Sequence, residues 1–173
     1  MIKINFIFDK TKSSLKFKKF ILKSYTNYSP QKADCIVVAG GDGFMLQTVK
    51  KNYNYNKPFY GINCGTYGFL MNKLPKKNLE AKIIKAKKLV INPIKIKAID
   101  FKNKKINLIA INEVSLFRQS RQTTSIQIIT NGKILLKKLV GDGVLVSTPA
   151  GSTAYNLSAN GPVLSLKSGK LAV

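Results

Sequence analysis

Apolar and polar residues alternate from Ile2 and then give way to a wholly apolar end at Phe8, the pattern of a strand entering a core. Ser13 or Ser14 offers a cap for a helix running to about Tyr25. Cys35-Ile36-Val37-Val38-Ala39 is a short β-branched run that stops at Gly40-Gly41-Asp42-Gly43, after which Phe44 to Lys51 has helical spacing. Phe59-Tyr60-Gly61-Ile62 predicts a third strand, closed by a second Gly-rich segment from Asn63 to Gly68. Leu79, Ile83 and Ala86 mark one face of a lysine-rich helix. Strands alternating with helices predict a parallel α/β sheet over residues 1–92.

The helical period largely disappears at Asn92-Pro93. Strand-like runs follow at Ile94 to Phe101, Ile106 to Ile111, Ser115 to Arg118 and Ser125 to Thr130, so residues 93–173 form a second, mostly β domain. Asn131-Gly132 is the favoured pair for a type I′ hairpin, which would join Ile126–Thr130 to Lys133–Leu139. Gly141-Asp142-Gly143 is expected to break that pairing before Val144-Leu145-Val146 resumes a strand. Ser147 to Gly161 reads as a small-residue loop with a helical turn or two.

With 45% hydrophobic and 21% charged residues, the 173-residue chain is neither disordered nor collagen-like. No apolar stretch nears the roughly 18 to 20 residues that span a bilayer, and a cytoplasmic protein with no membrane partner is expected. The net charge of +23 would ordinarily suggest nucleic acid. Its make-up argues otherwise: among 30 basic residues only Arg118 and Arg121 are arginine, and the lysines are spread along the first 138 residues. Lys, Asn and Ile share A/T-rich codons, so codon bias explains the charge, and attraction of an anionic substrate is a by-product. A chain without histidine has no Ser-His-Asp triad, and zinc is improbable; Cys35 and Cys64 are expected to be free thiols.

Four segments carry candidate chemistry. Gly40-Gly41-Asp42-Gly43 lies between a strand and a helix, where glycines admit a phosphate to unpaired N–H groups; a plain turn with Asp42 as helix N-cap competes evenly. If functional, Asp42 would contact Mg²⁺ or take a proton from an attacking hydroxyl. Gly61 to Phe69 ends the next strand, so its loop would share the same sheet rim, although its spacing is not a dinucleotide fingerprint. Asn112-Glu113 is a polar pair after an apolar run, suited to ribose hydroxyls or a base edge but equally to a solvated strand end. In the last segment, Gly141 to Ser158, a helical turn starting at Ser152 would place Tyr155 and Ser158 on one face, an aromatic plate beside a hydroxyl.

Taken in order, Gly-Gly-Asp-Gly, Gly-Ile-Asn-Cys-Gly-Thr-Tyr-Gly-Phe-Leu, Asn112-Glu113 and Gly-Asp-Gly-x-x-x-Ser-Thr-Pro-Ala-Gly-Ser-Thr-Ala-Tyr resemble the NAD kinases. The first motif is shared with lipid kinases and phosphofructokinases; the last is specific to the family. The resemblance implies a Rossmann-like α/β domain and a β-sandwich-like domain with NAD in the cleft between them, and phosphorylation of the 2′-hydroxyl of NAD's adenosine ribose by ATP or polyphosphate, with Mg²⁺, to give NADP. It assigns Gly40, Gly41 and Gly43 to ATP phosphates and Asp42 to activation of the hydroxyl. Phe69 and Leu70 would line the dinucleotide site, Asn112, Glu113, Thr153, Ala154, Tyr155 and Ser158 would hold adenosine and ribose, and Asp142 would reach a second base in a homo-oligomer. Val140 stands where many relatives carry Arg before Gly-Asp-Gly, removing a cation from the pyrophosphate. Family members continue beyond Val173, so the β-rich domain is expected to be incomplete at its C-terminus, marginally stable and prone to self-association. A dinucleotide-binding remnant without turnover, or a lipid or sugar kinase, is the alternative.

Overall fold

A computed structural model of the chain describes residues 2–66, 68–75 and 77–173. Met1, at the head of the first predicted strand, and Tyr67, inside the second Gly-rich loop, lie outside the described residues. The chain divides into two compact units, Met1–Lys88 and Leu89–Val173.

In the first unit, β1 (Ile4–Phe8), β2 (Cys35–Gly40) and β3 (Phe59–Asn63) form a parallel sheet in that order. The central strand is buried along its whole length. Its period-two geometry explains why it is apolar throughout: Cys35, Val37 and Ala39 pack with Phe17 and Ile21 on one face, while Ile36 and Val38 pack with Met45 on the other. The first face is covered by α1 (Lys12–Ile21) and Leu79 of α3 (Leu79–Lys85), the second by α2 (Asp42–Asn52). Each fully buried Val or Ile contributes about 1.5–3 kcal/mol, so β2 is the main anchor of this unit.

Thr11, rather than Ser13 or Ser14, caps α1, its hydroxyl accepting from the Ser14 N–H at 3.3 Å. Ser14 is buried and donates its hydroxyl to the Ala39 carbonyl at 2.7 Å, which ties the helix to β2. The helix stops at Ile21, short of Tyr25, whose ring packs edge-on against Phe6. The outer side of β1 is bonded by a side chain: the Asn27 amide accepts from the Phe6 N–H at 2.8 Å and donates to the Phe6 carbonyl at 3.2 Å. On the far side of the sheet the Asn72 backbone bonds Gly61 and Asn63 of β3, with Asn72 Nδ2 donating to the Gly61 carbonyl as well. Both cysteines are free and buried, and burial pushes the Cys35 thiol up to about 11, so it stays protonated and unreactive.

The second unit is β-rich. It contains three antiparallel ladders: β4 (Ile94–Ile99) with β5 (Lys105–Ala110), β6 (Glu113–Phe117) with β9 (Gly143–Ser147), and β7 (Thr124–Thr130) with β8 (Lys133–Gly141). Asn131 and Gly132 both have positive φ, 50° and 75°, as the predicted type I′ turn requires. Gly141 still pairs with Thr124 and Gly143 with Phe117, so the interruption is Asp142 alone, not the whole Gly-Asp-Gly. Much of β8 is exposed, Ile134, Leu135, Leu136 and Val140 included. Val144, Leu145, Val146 and Leu164 are half-buried, and Val163 is exposed. A single turn, α4 (Tyr155–Ser158), completes the described elements.

Candidate functional site

In the first unit both Gly-rich loops leave the carboxyl ends of neighbouring parallel strands, the edge at which open α/β sheets bind ligands. The Cys64 N–H donates to the Gly40 carbonyl at 2.9 Å and joins the two loops. Gly41 is the N-cap of α2 and makes no side-chain cap, and Asp42 is the first helical residue, so the N-cap alternative for Asp42 is set aside. Its carboxylate bonds elsewhere: Oδ2 accepts from the Phe69 N–H at 2.7 Å and Oδ1 from the Leu70 N–H at 3.1 Å. Asp42 therefore fastens the second loop to the start of α2, and each of its oxygens keeps a further lone pair.

The glycines of this turn differ in why they are glycine. A Cβ on Gly40 would lie 2.7 Å from the Phe44 ring, and one on Gly68 would lie 2.9 Å from Asp42 Oδ1, so both are required by packing. Gly41 and Gly43 have nothing within 4 Å of such a Cβ, and neither has a positive φ. Among the described residues nothing demands glycine there. The open space lies over the amino end of α2, where N–H groups and the helix dipole favour an anion.

In the second unit, Glu113 pairs with Ser147 at one end of the β6–β9 ladder, with Asn112 immediately before it. Thr148 locks this corner: its N–H donates to the Asn112 carbonyl at 2.8 Å and its hydroxyl to the Ile111 carbonyl at 2.7 Å. Gly151 is forced by contact, since a Cβ there would come within 2.3 Å of the Asn112 carbonyl oxygen. Ser152 does not begin a helix; its buried hydroxyl donates to Pro149 and accepts from the Leu164 N–H at 2.9 Å. Asn156, also buried, donates to the Ser152 and Pro162 carbonyls. The hydroxyl-rich loop is thus largely scaffold, and it presents an exposed Tyr155 and Ser158 three residues apart on α4, with Thr153 and Ala154 half-buried before them.

Two acceptors in this corner have no partner among the described residues. Asn112 Oδ1 and Glu113 Oε2 are both buried without a hydrogen-bond partner among the described residues, and burial raises the Glu113 carboxyl above its ordinary range. Buried acceptors are ordinarily paired, so two adjacent orphans mark a place for donors from outside the chain. At the opposite end of the same ladder, the Arg118 Nε donates to Asp142 Oδ1 at 2.5 Å, and the Arg118 N–H donates to the Asp142 carbonyl at 2.9 Å.

The expected residues therefore assemble in two places: Gly40, Gly41, Asp42, Gly43, Phe69 and Leu70 in the first unit, and Asn112, Glu113, Thr153, Ala154, Tyr155 and Ser158 in the second. Asp142 stands apart at the other end of the ladder, and Arg118, its partner, was not among the expected residues. The signal for Arg118 was the rarity of arginine in a lysine-rich chain.

Residues 4–87 match the family model of the ATP-NAD kinase N-terminal domain, and residues 111–170 that of the ATP-NAD kinase C-terminal domain. The chain is 46% identical over 170 residues to a NAD kinase of Brucella suis, covering 98% of this chain and 66% of that protein. It is 42% identical over 171 residues to a NAD kinase of Rickettsia felis, covering 99% and 67%. The chain spans about two thirds of the length of these relatives. Among solved structures, yeast NADH kinase complexed with NADH superposes with a TM-score of 0.70 at 28% identity, over 85% of this chain and 46% of that one. A NAD kinase from Archaeoglobus fulgidus in complex with ATP gives 0.65 at 25% identity, over 95% and 67%.

Proposed function

This chain belongs to the ATP-NAD kinase family, and on that premise we propose that it transfers a phosphoryl group from ATP or polyphosphate to the 2′-hydroxyl of NAD's adenosine ribose, forming NADP. The observation that carries this reading is the pair of orphaned buried acceptors, Asn112 Oδ1 and Glu113 Oε2, which suit the donors of an adenosine ribose or base edge. The uncommitted glycines, Gly41 and Gly43, support the phosphate half.

Each group has a task. The N–H groups around Gly41 and Gly43 receive the donor's phosphates. Asp42 accepts the 2′-hydroxyl proton as the oxygen attacks the γ-phosphorus and the bond to the bridging oxygen breaks, releasing ADP. Phosphoryl transfer asks chiefly for alignment and charge neutralisation, so one carboxylate suffices as base. Tyr155 stacks on the base, Ser158, Thr153 and Ala154 surround it, Phe69 and Leu70 line the dinucleotide, and Asp142 reaches its second base. Among the described residues no group of three or more His, Cys, Asp or Glu could hold a metal. Mg²⁺ is often bound by one or two carboxylates together with substrate phosphates; Asp42, each of whose oxygens accepts a single N–H bond, would be such a carboxylate, and the ion would neutralise the transferred charge. We assign the protein to the cytoplasm as a homo-oligomer; no described helix is long and apolar enough to cross a membrane.

Incubation of the chain with NAD, Mg²⁺ and either ATP or polyphosphate, scored with an NADP-specific dehydrogenase, tests the proposal. Formation of NADP with one donor supports it and names the donor. Absence of both NAD binding and NADP formation refutes it, and binding without turnover leaves the remnant.

Two substitutions separate function from folding. Gly43→Ala should stabilise α2 by roughly 0.5–1 kcal/mol, because the helical site has room for a methyl group. NADP formation should nevertheless fall, through a higher KM for the donor; unchanged kinetics would remove Gly43 from the cradle. Glu113→Gln should raise the melting temperature at neutral pH and weaken NAD binding. The folded-state carboxyl titrates above its unfolded value, so its contribution is present at low pH and is lost as pH rises through the folded value. Gln abolishes that pH-dependent loss, and melting curves that keep the same pH dependence would show that Glu113 is not its source.

A further inference from the structure

The Arg118–Asp142 pair has no assigned role. It is the one ion pair among the described residues of a chain with a large excess of cations. It is also partly exposed, with side-chain accessibilities of 29% and 59%. Such surface pairs add little to stability, so stability does not explain why one of two arginines stands here. The geometry does. Arg118 Nε donates to Asp142 Oδ1 while Nη1 donates to the Ser120 carbonyl at 2.6 Å, and its backbone N–H donates to the Asp142 carbonyl. A planar guanidinium holds the carboxylate and the carbonyl in one rigid fork; a lysine ammonium has donors enough for both but no fixed plane, and would hold the pair less firmly. The contact also sits where the β6–β9 pairing ends, one residue past the Phe117–Gly143 pair, so Asp142 would otherwise be a free loop carboxylate.

We propose that Arg118 is a positioning residue for the dinucleotide: it fixes the Asp142 carboxylate in the orientation that meets the second base. This deepens the function proposed above and rests on it.

The test uses the full chain with Arg118→Ala, Arg118→Lys, Asp142→Asn and the Arg118→Ala/Asp142→Asn double variant, measuring KM for NAD, kcat, and NAD dissociation by calorimetry. Arg118→Ala should raise KM about tenfold, within the range for contacting pairs, while kcat changes less than about twofold. Arg118→Lys should recover only part of the loss, and the double variant should be no worse than Asp142→Asn alone. Full recovery by lysine, or losses that multiply in the double variant, would overturn the proposal. Should Arg118→Ala not fold, Arg118→Lys decides alone, since a wild-type KM in that variant is incompatible with the fork. If the unmodified chain neither binds NAD nor forms NADP, the proposed function fails and takes this inference with it. If the unmodified chain is active and the Arg118 variants match it, only this inference fails.

Discussion

Asp42→Asn is expected to lower turnover by roughly 10²- to 10⁴-fold, the size of a lost general base, while NAD affinity changes far less. Chemistry and architecture separate here because the carboxylate has two duties. Besides taking a proton, it accepts the Phe69 and Leu70 N–H groups. Asparagine keeps one carbonyl acceptor, so half of that attachment survives; its NH₂ group cannot accept the other. Asp42→Ala loses both bonds and should add a stability loss of about 1–2 kcal/mol and weaker NAD binding, since solvent replaces only part of the lost bonding. Melting temperature, KM and kcat for the two variants resolve the duties. Wild-type turnover in Asp42→Asn would remove the base assignment. If instead Asn lost as much affinity as Ala, fastening the loop would be the residue's main role.

Tyr155→Ala should weaken NAD binding by about 1–3 kcal/mol, as for bases stacked on aromatic side chains, and Tyr155→Phe much less. The ring is half-exposed on a single turn. What makes so short a helix a usable platform is its neighbour: buried Asn156 holds the Ser152 and Pro162 carbonyls and fixes the turn from below. Calorimetric titration with NAD decides between ring and hydroxyl, because equal losses in Ala and Phe would credit the hydroxyl.

The parts of this molecule that were legible in the sequence obey local rules. β2 announced itself because a strand covered on both faces has no polar positions, and the Asn131-Gly132 hairpin because few dipeptides tolerate two consecutive positive φ values. The Gly-rich loops share a rim because parallel pairing puts successive strand ends together. Three polar side chains depart from their local appearance for a different reason: each bonds to something distant in sequence. Ser14 resembles a cap but serves Ala39, 25 residues away. Asp42 resembles an N-cap but serves residues 27 and 28 positions on. Ser152 resembles a helix start, yet its hydroxyl holds Leu164. Short polar side chains have the same local signature whether they bond nearby or far off, and only the fold tells the two apart. The orphaned acceptors of Asn112 and Glu113 were beyond sequence reading for the same reason, since lack of a partner is a property of packing.

The amide of Asn27, laid along Phe6, has a consequence for the growth of the sheet. A bare outer strand is a template, and any extended segment of suitable register can add to it. Here the template is already occupied at Phe6 by a side chain imitating a strand residue, donor and acceptor both, and at Gly61 and Asn63 by Asn72. A fourth strand in register with Phe6, or with Gly61 and Asn63, would have to displace the asparagine bonded there. Asn27 and Asn72 thereby occupy the two outer edges of the three strands described.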